Sequence, residues 1–556
     1  MAGLRQAHHK MNQFKITFRP AGKFAIQTKD KTVAIEEGTS ILEAARRGNI
    51  AINSVCGGNG ICGKCAVLVG QEETEVLACQ YKIKSDLAVK IPEYSDNPDL
   101  KILVDGIHTS GSIRHTYGGL TAGRKIEPDI YKKYLKIAKE GRIFGLAADI
   151  GTTTVVVKLI DMKSGNCIGT ESALNPQSFF GDDVISRISY AGTRDGLSEL
   201  GEIIKSCLNE LIGRLCKKSK VDRREIYEAS IVGNTTMNHL FLKMAVKGLG
   251  RAPYEAYNVK AQKLYPSEAG IQINPHGNIY TVANIASFLG SDTTAAALAA
   301  GMGETEKTTL LVDIGTNGEV VLGNKDRLLA TSCAAGPAFE GARISRGSRA
   351  VKGAIEAVEW DGKDLTVKVI GSSSVSEARS ICGSGLIDAV AVLVELGIID
   401  STGRIVKKKG LSEGLSSRIT EEDGQPAVLI AKGEKEILLT QKDVRQVQLA
   451  KAAISAGIKI LQSKLGLNAK DIEQVLLAGA FGNFTRKESA MRIGLLPELP
   501  VERIHFIGNA ACSGAEIILL SDKERILSSE LAGRIEYIEL ARETDFEAVF
   551  SREMHF

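Results

Sequence analysis

Apolar and polar positions alternate at the front of the chain. Phe14, Ile16 and Phe18 are separated by polar residues, the period of a half-buried strand, and Val33 with Ile35 continues the pattern as a hairpin partner. Ser40 followed by Glu43 has the form of a capping box, so a helix is expected to open there and to stop near Gly48. From Glu93 to Arg142 the periodicity weakens into Gly-Ser and Gly-Gly pairs and a basic tract (Arg124, Lys125, Lys132, Lys133, Lys136). That predicts a hinge-like linker with a short amphipathic helix around Tyr131 to Lys139. Strong apolar runs then return. GLAADIGTTTVVVKLI at 145–160 and TLLVDIGTNGEVVLGN at 309–324 each read as apolar strand, Asp-Ile-Gly-Thr turn and second apolar strand. Asp149, Ile150, Gly151, Thr152, Val156 and Val157 align without a gap on Asp313, Ile314, Gly315, Thr316, Val320 and Val321, which implies a duplicated fold. SDTTAAALAAGM (291–302) predicts an Ala-rich helix, VLLAGAFGN (475–483) a strand ending in a Gly-rich turn, and IGNAACSGAEIILL (507–520) a helix opening on small residues.

Length and composition narrow the class. At about 150 residues per domain, 556 residues predict roughly three to four domains. Hydrophobic residues at 44% and charged residues at 24% exclude a disordered or low-complexity chain. A net charge of +4 is too small for this length to argue for nucleic-acid or anionic-membrane binding. The greasiest stretch, Gly385 to Ile399, is interrupted by Asp388 and Glu395, so no membrane span is expected. No apolar core follows the charged N-terminus, the first dozen residues read as an extension, and a cytoplasmic location is expected.

Four of the ten cysteines crowd into CGGNGICGKCAVLVGQEETEVLAC, residues 56 to 79, in the order C-x5-C-x2-C-x13-C. Cys56, Cys62, Cys65 and Cys79 are therefore candidate metal ligands. Zinc also accepts four thiolates, but zinc ribbons use two separated C-x2-C knuckles and this chain has one, so the spacing favours an iron–sulfur cluster. Gly57, Gly58, Gly60 and Gly63 suit a loop whose N–H groups must approach cluster sulfurs closely. With strand, strand, helix and cysteine loop in sequence, residues 12–92 resemble β-grasp ferredoxins of the adrenodoxin-like group, which carry a 2Fe–2S cluster. Cys79 lies closer to its partners than the fourth cysteine of that group usually does. Cys167, Cys207, Cys216, Cys333, Cys382 and Cys512 share no ligand spacing, and the eight histidines form no metal motif.

Gly-Thr turns between strands present N–H groups and hydroxyls to phosphate oxygens, and an Asp at the strand end suits the water shell of a phosphate-bound magnesium ion. No G-x4-GK[ST] string is present, which excludes a P-loop. In this order the elements of residues 143–556 resemble the duplicated α/β ATPase fold of actin, heat-shock chaperones and sugar kinases (ASKHA, ribonuclease H-like). The resemblance implies that Asp149 and Asp313 serve the metal shell or the attacking water. It also implies that Gly151, Thr152 and Thr153, with Gly315, Thr316 and Asn317, cradle the phosphates of ATP, and that Gly479, Ala480, Phe481 and Gly482 border its adenosine.

Further strings sharpen the resemblance. NPQSFFGDDVISRI (175–188), VGNTTMNHLF (232–241), SCAAGPAFEGARISRGSRAVKGAIE (332–356), ICGSGLIDAV (381–390) and LTQKDVRQVQLAKAAI (439–454) are similar to those of the reductive activators of corrinoid proteins. Such proteins use ATP to pass one low-potential electron to a cobalt(II) corrinoid protein of a methyltransferase system. The resemblance thus implies a 2Fe–2S cluster, ATP and Mg2+ as cofactors, a low-potential electron donor, a corrinoid partner and a homodimer. Only 69 residues separate Cys79 from Asp149, so residues 93–142 leave room for no more than a short middle region. Alternatives are an electron injector for a dehydratase or another low-potential enzyme, a non-catalytic nucleotide or redox sensor, and a metabolite kinase. Ser332, Cys333 and Ser384 are polar loop positions that either touch a partner's cofactor or simply pack.

Overall fold

The computed structural model describes residues 13–556 apart from 21–29, 49, 51, 53–64, 92–112, 118–119, 139–140, 182, 316, 407–410 and 480–484. Backbone contacts divide the chain into two units, Met1–Asp99 with Pro176–Gly196, and Leu100–Asn175 with Leu197–Phe556.

In the first unit the alternating apolar residues become β1 (Gln13–Pro20) and β2 (Lys31–Glu36), antiparallel with Ile16 opposite Val33. The Ser40 hydroxyl accepts the Glu43 N–H at 3.2 Å and opens the helix Ile41–Arg47. β3 (Ala66–Val69), β4 (Thr74–Leu77) and β5 (Leu87–Ile91) complete a five-stranded sheet of order β2-β1-β5-β3-β4. β5 runs parallel to β1, the feature that makes this a β-grasp fold rather than a meander. Ile16, Phe18, Ile35, Ile41, Val67 and Val89 fill its core. The same unit includes the helix Val184–Ala191, capped by Asp183, whose fully buried Arg187 donates to the Gly181 carbonyl at 2.8 Å.

The second unit starts, among the described residues, with the hairpin β6 (Ile113–Tyr117) and β7 (Leu120–Ile126). The amphipathic helix expected at Tyr131–Lys139 is instead a short 3-10 helix, Ile130–Tyr134. Tertiary bonds hold it. The Asp129 N–H donates to the Leu520 carbonyl at 3.0 Å, Ile130 and Tyr134 are buried, and the Tyr134 hydroxyl donates to buried Glu228. Glu228 also accepts from Arg525 at 3.0 Å, and that guanidinium lies 4.3 Å from the Tyr280 ring centroid.

Two sheets follow that share a five-strand topology. The first comprises β8 (Phe144–Ile150), β9 (Thr154–Asp161), β10 (Cys167–Leu174), β11 (Ile226–Gly233), β12 (Gln262–Leu264) and β13 (Asn278–Thr281), ordered β10-β9-β8-β11-β13-β12. The second begins with β14 (Thr309–Ile314), β15 (Gly318–Gly323) and β16 (Leu328–Cys333). Two three-stranded sheets are inserted after it: β17 (Ala354–Trp360), β18 (Leu365–Val369) and β19 (Ser380–Ile381), then β20 (Ile419–Glu422), β21 (Gln425–Lys432) and β22 (Glu436–Thr440). β23 (Gln474–Ala478), β24 (Ile504–Gly508) and β25 (Ile535–Tyr537) then complete the order β24-β23-β14-β15-β16-β25. In both sheets an antiparallel three-strand meander is joined by parallel strands at its first strand. The duplication read from the sequence is therefore a duplication of these five strands, while the sixth strands differ: β12 pairs with β13 at the parallel edge and β25 with β16 at the meander edge. The near-continuous apolar runs of β8 and β14 reflect burial on both faces.

The helices Ser291–Ala299 and Ala510–Leu520 join the two lobes through one apolar cluster that includes Ala147, Ala295, Leu311, Leu476 and Ile518. Small residues permit the approach: a Cβ on Gly514 would lie 2.1 Å from the Ala295 carbonyl oxygen. Among the described residues no helix is long and apolar enough to cross a membrane.

Candidate functional site

Cys65 immediately precedes β3 and Cys79 lies two residues beyond β4, so pairing Ala66 with Leu77 closes the hairpin and brings both thiols to its mouth. Their Sγ atoms are 3.3 Å apart. Two sulfurs bound to one tetrahedral metal at about 2.3 Å are separated by about 3.8 Å. The x13 spacing is thus the length of one tight hairpin, and the pair fits a shared metal centre after a small adjustment. Cys56 and Cys62 lie outside the described residues.

The second site forms at the carboxyl ends of β8 and β14, where Asp149 and Asp313 stand. Each hairpin turn is closed by its glycine: the Gly151 N–H donates to Thr154 O at 2.9 Å and the Gly315 N–H to Asn317 O at 3.0 Å. The turns therefore differ by one residue. Asp149 pairs with Val156, whereas Asp313 pairs with Glu319. This corrects the gapless alignment, which set Val156 on Val320. Because cross-strand partners share a face, the shorter second turn places the Glu319 carboxylate beside Asp313 where the first lobe has an apolar valine.

The first turn is tied down by Asn175, whose side-chain amide donates to Gly151 O and whose N–H donates to Thr153 O, both at 2.8 Å. The Thr153 hydroxyl crosses to the other lobe and donates to Glu340 at 3.3 Å. At the second turn Gly479, with φ +86°, adjoins Asp313 so closely that a Cβ would lie 2.5 Å from the carboxylate. Gly315 and Asn317 occupy the second turn as expected, while Thr316, Ala480, Phe481 and Gly482 lie outside the described residues.

Two acidic residues that sequence reasoning missed complete the site. Asp292, in the first turn of the helix Ser291–Ala299, and Glu319 both influence Asp313 and its surroundings. Burial first, and then the Asp292 charge, push Asp149 and Asp313 up to about 7. For Asp149 the amide of Asn509, 3.2 Å away, works in the opposite direction. Asp292 itself is pushed up to about 6 by burial, and Glu319 is raised well above the carboxylate range by burial and by Asp292. All four keep an edge to solvent while protein encloses the rest. Such a group of mutually repelling carboxylates suits a bound cation, although among the described residues no three are arranged as direct metal ligands. Nearby, Lys158 and Glu516 form a buried ion pair at 2.5 Å. The three polar positions expected in loops are not in loops: Ser332 and Cys333 end β16, where Cys333 is buried and Ser332 bonds to Glu319, and Ser384 is buried in the first turn of the helix Gly383–Glu395, donating to the Glu356 carbonyl at 2.8 Å.

The chain matches three family descriptions: a 2Fe-2S iron-sulfur cluster binding domain over residues 24–84, the RACo middle region over 144–305, and the C-terminal domain of RACo, the ASKHA domain, over 307–556. It is 34% identical over 576 aligned residues to the corrinoid activation enzyme RamQ of Eubacterium limosum, covering 93% of this chain and 96% of that one. A solved reductive activator for corrinoid,iron-sulfur protein superposes with a TM-score of 0.67 at 33% identity, covering 98% of both chains. The chain belongs to the reductive activators of corrinoid proteins.

A more distant relative, the [Co(II) methylated amine-specific corrinoid protein] reductase of Methanosarcina barkeri, is 24% identical over 69% of this chain and 71% of its own. In this activator the N-terminal β-grasp domain is a 2Fe–2S domain and the duplicated sheets form a nucleotide-binding ASKHA fold. The stretch matched as the middle region is the lobe built on β8–β13. Glu319 was hidden in the sequence by the one-residue difference between turns. Asp292 had a visible signal, an acid at the opening of an otherwise Ala-rich helix.

Proposed function

We propose that this activator uses ATP to drive one electron from a 2Fe–2S cluster, held by Cys56, Cys62, Cys65 and Cys79, to the cobalt(II) centre of a corrinoid protein, regenerating cobalt(I) for methyl transfer. The observation that carries this reading is the near full-length similarity to RamQ, which takes in both the cysteine hairpin and the paired phosphate turns. When bound, the cluster supplies a one-electron carrier near roughly −400 mV, and every 59 mV of uphill transfer costs about a factor of ten in equilibrium. ATP is the source of bias. The turns at Gly151–Thr153 and Gly315–Asn317 hold its phosphates, Gly479–Gly482 border its adenosine, and Asp149, Asp292 and Asp313 hold the water shell of Mg2+ or orient the attacking water. Thr153 reaches Glu340 in the other lobe, so a ligand on the first turn sits beside an inter-lobe contact and would shift a lobe equilibrium only by its differential affinity for the two arrangements. The ferredoxin domain spans residues 12–92, residues 93–142 join it to the ATPase at 143–556, and the working form is a cytoplasmic homodimer reduced by a low-potential donor.

The test mixes the anaerobically reduced protein with a cobalt(II) corrinoid protein, with and without MgATP, and follows the cobalt(I) absorption band. ATP-dependent appearance of the band is expected. Its absence with several corrinoid proteins, alongside ATP-dependent reduction of another low-potential enzyme, would replace the reading.

A further inference from the structure

The VGNTTMNHLF segment sits where the first lobe meets its phosphate turn. Asn234 follows β11 and caps the helix Thr235–Phe241, its Oδ1 accepting the Met237 N–H at 3.0 Å. That bond fixes the orientation of the carboxamide, so Nδ2 must be the atom that faces Thr152, and it donates to Thr152 Oγ1 at 2.8 Å. A hydroxyl that accepts here has its own proton directed away from Asn234. We propose that Asn234 is a positioning residue for ATP: by holding Thr152 Oγ1 as an acceptor, it fixes the rotamer in which the Thr152 hydroxyl donates to a nucleotide phosphate.

Three features make Asn234 a rigid support. The Asn238 amide bonds to Gly233 O at 2.9 Å, Asn284 Oδ1 at 2.7 Å and Ser291 Oγ at 2.8 Å, and all three side-chain partners in this cluster are more than nine-tenths buried. Gly290 packs so tightly that a Cβ there would lie 2.3 Å from the Asn234 Cα. Ser291 is also bonded to the Gly233 N–H at 3.1 Å and precedes Asp292, so the support of Thr152 and the carboxylate of Asp292 belong to one hydrogen-bonded body. The second lobe shows that the position is specialised. Register places Val232 opposite Asp149 and Ala478 opposite Asp313, which makes Gly233 equivalent to Gly479. At that point the second lobe has Gly479, whereas the first lobe continues from Gly233 into a capped helix carrying a side-chain donor for its own phosphate turn.

This inference rests on the nucleotide reading above and is tested on the full-length protein with MgATP. Asn234→Asp keeps the capping acceptor for Met237, loses the donor to Thr152 and adds a negative charge near the phosphates. Its dissociation constant for MgATP is expected to rise at least about tenfold while the nucleotide-free unfolding midpoint is unchanged. Thr152→Ala should weaken binding as well, and Asn234→Ser, which caps but is too short to reach Thr152, should behave as Thr152→Ala does. The decisive comparison is Asn234→Ser with Thr152→Ala in one chain: a residue acting through Thr152 adds no loss beyond Thr152→Ala alone. Additive losses, or Asn234 variants that bind within about twofold of the parent, overturn the inference. A parent protein that binds no MgATP overturns the nucleotide reading itself.

Discussion

Replacing Asp292 with Asn removes one charge from the carboxylate group and keeps the oxygen that accepts the Thr293 N–H. Asp292 is the largest charge acting on Asp149 and Asp313, second only to burial. In an effective dielectric of about 20, two unit charges interact by about 4 kcal/mol at about 4 Å and by less, in inverse proportion, farther apart. In the nucleotide-free, metal-free protein Asp149 and Asp313 rise from an ordinary 3.8 to about 7, so between those values the folded state holds more protons than the unfolded state. Stability therefore falls as pH rises from about 4 to about 7. In Asp292→Asn both carboxyls move back toward their ordinary range. Thermal unfolding of the full chain in chelator should show a flatter profile from pH 5 to 7.5, with stability at pH 7.5 raised by about 1–3 kcal/mol. Affinity for MgATP should move the other way, because the proposed Mg2+ site loses one of its carboxylates. A variant whose pH profile runs parallel to the parent's, or which gains stability with no loss of Mg2+-dependent binding, would refute the electrostatic reasoning.

Gly479→Ala puts a Cβ 2.5 Å from the Asp313 carboxylate at a backbone φ of +86°, so ATPase kcat/KM should fall at least about tenfold in a phosphate-release assay; an unchanged value contradicts the placement of this turn. Gly514→Val drives the helices Ser291–Ala299 and Ala510–Leu520 apart and should cost about 1–3 kcal/mol or more, read as a lower Tm. Tyr134→Phe removes a donor from buried Glu228 and should cost about 1–3 kcal/mol in urea unfolding; a null result would mean that the segment before β8 is not anchored there. Cys79→Ser should lower iron content and abolish the reduced-cluster EPR signal, whereas Cys167→Ser, at an exposed thiol on β10, should leave both intact.

Much of this was legible because its physics is local. The alternation at Phe14, Ile16 and Phe18, the Ser40 cap, and the two Asp-Ile-Gly-Thr turns each specify a strand, a helix start or a hairpin without reference to distant residues. The spacing of Cys65 and Cys79 encoded a hairpin, but the sequence shows the count and not the closure. What stayed hidden depends on register and tertiary bonds. Glu319 could not be placed beside Asp313 until the second turn proved one residue shorter than the first. Tyr131–Lys139 has the pattern of an amphipathic helix, yet Asp129 and Tyr134 are fastened to Leu520 and Glu228, nearly 400 and nearly 100 residues away. Asn234 stood in the sequence only within the VGNTTMNHLF string, and both its cap of the helix Thr235–Phe241 and its bond to Thr152 appear only in the fold.

Freeze-quenched EPR tests the central claim most directly, since a reduced 2Fe–2S cluster and a cobalt(II) corrinoid each carry one countable unpaired spin. After prereduced protein is mixed with the cobalt(II) partner and MgATP, the two signals should disappear together, spin for spin, and both should persist when ATP is omitted. Loss of the cobalt signal at the same rate without nucleotide, or ATP hydrolysis with both signals intact, would contradict an ATP-driven one-electron transfer.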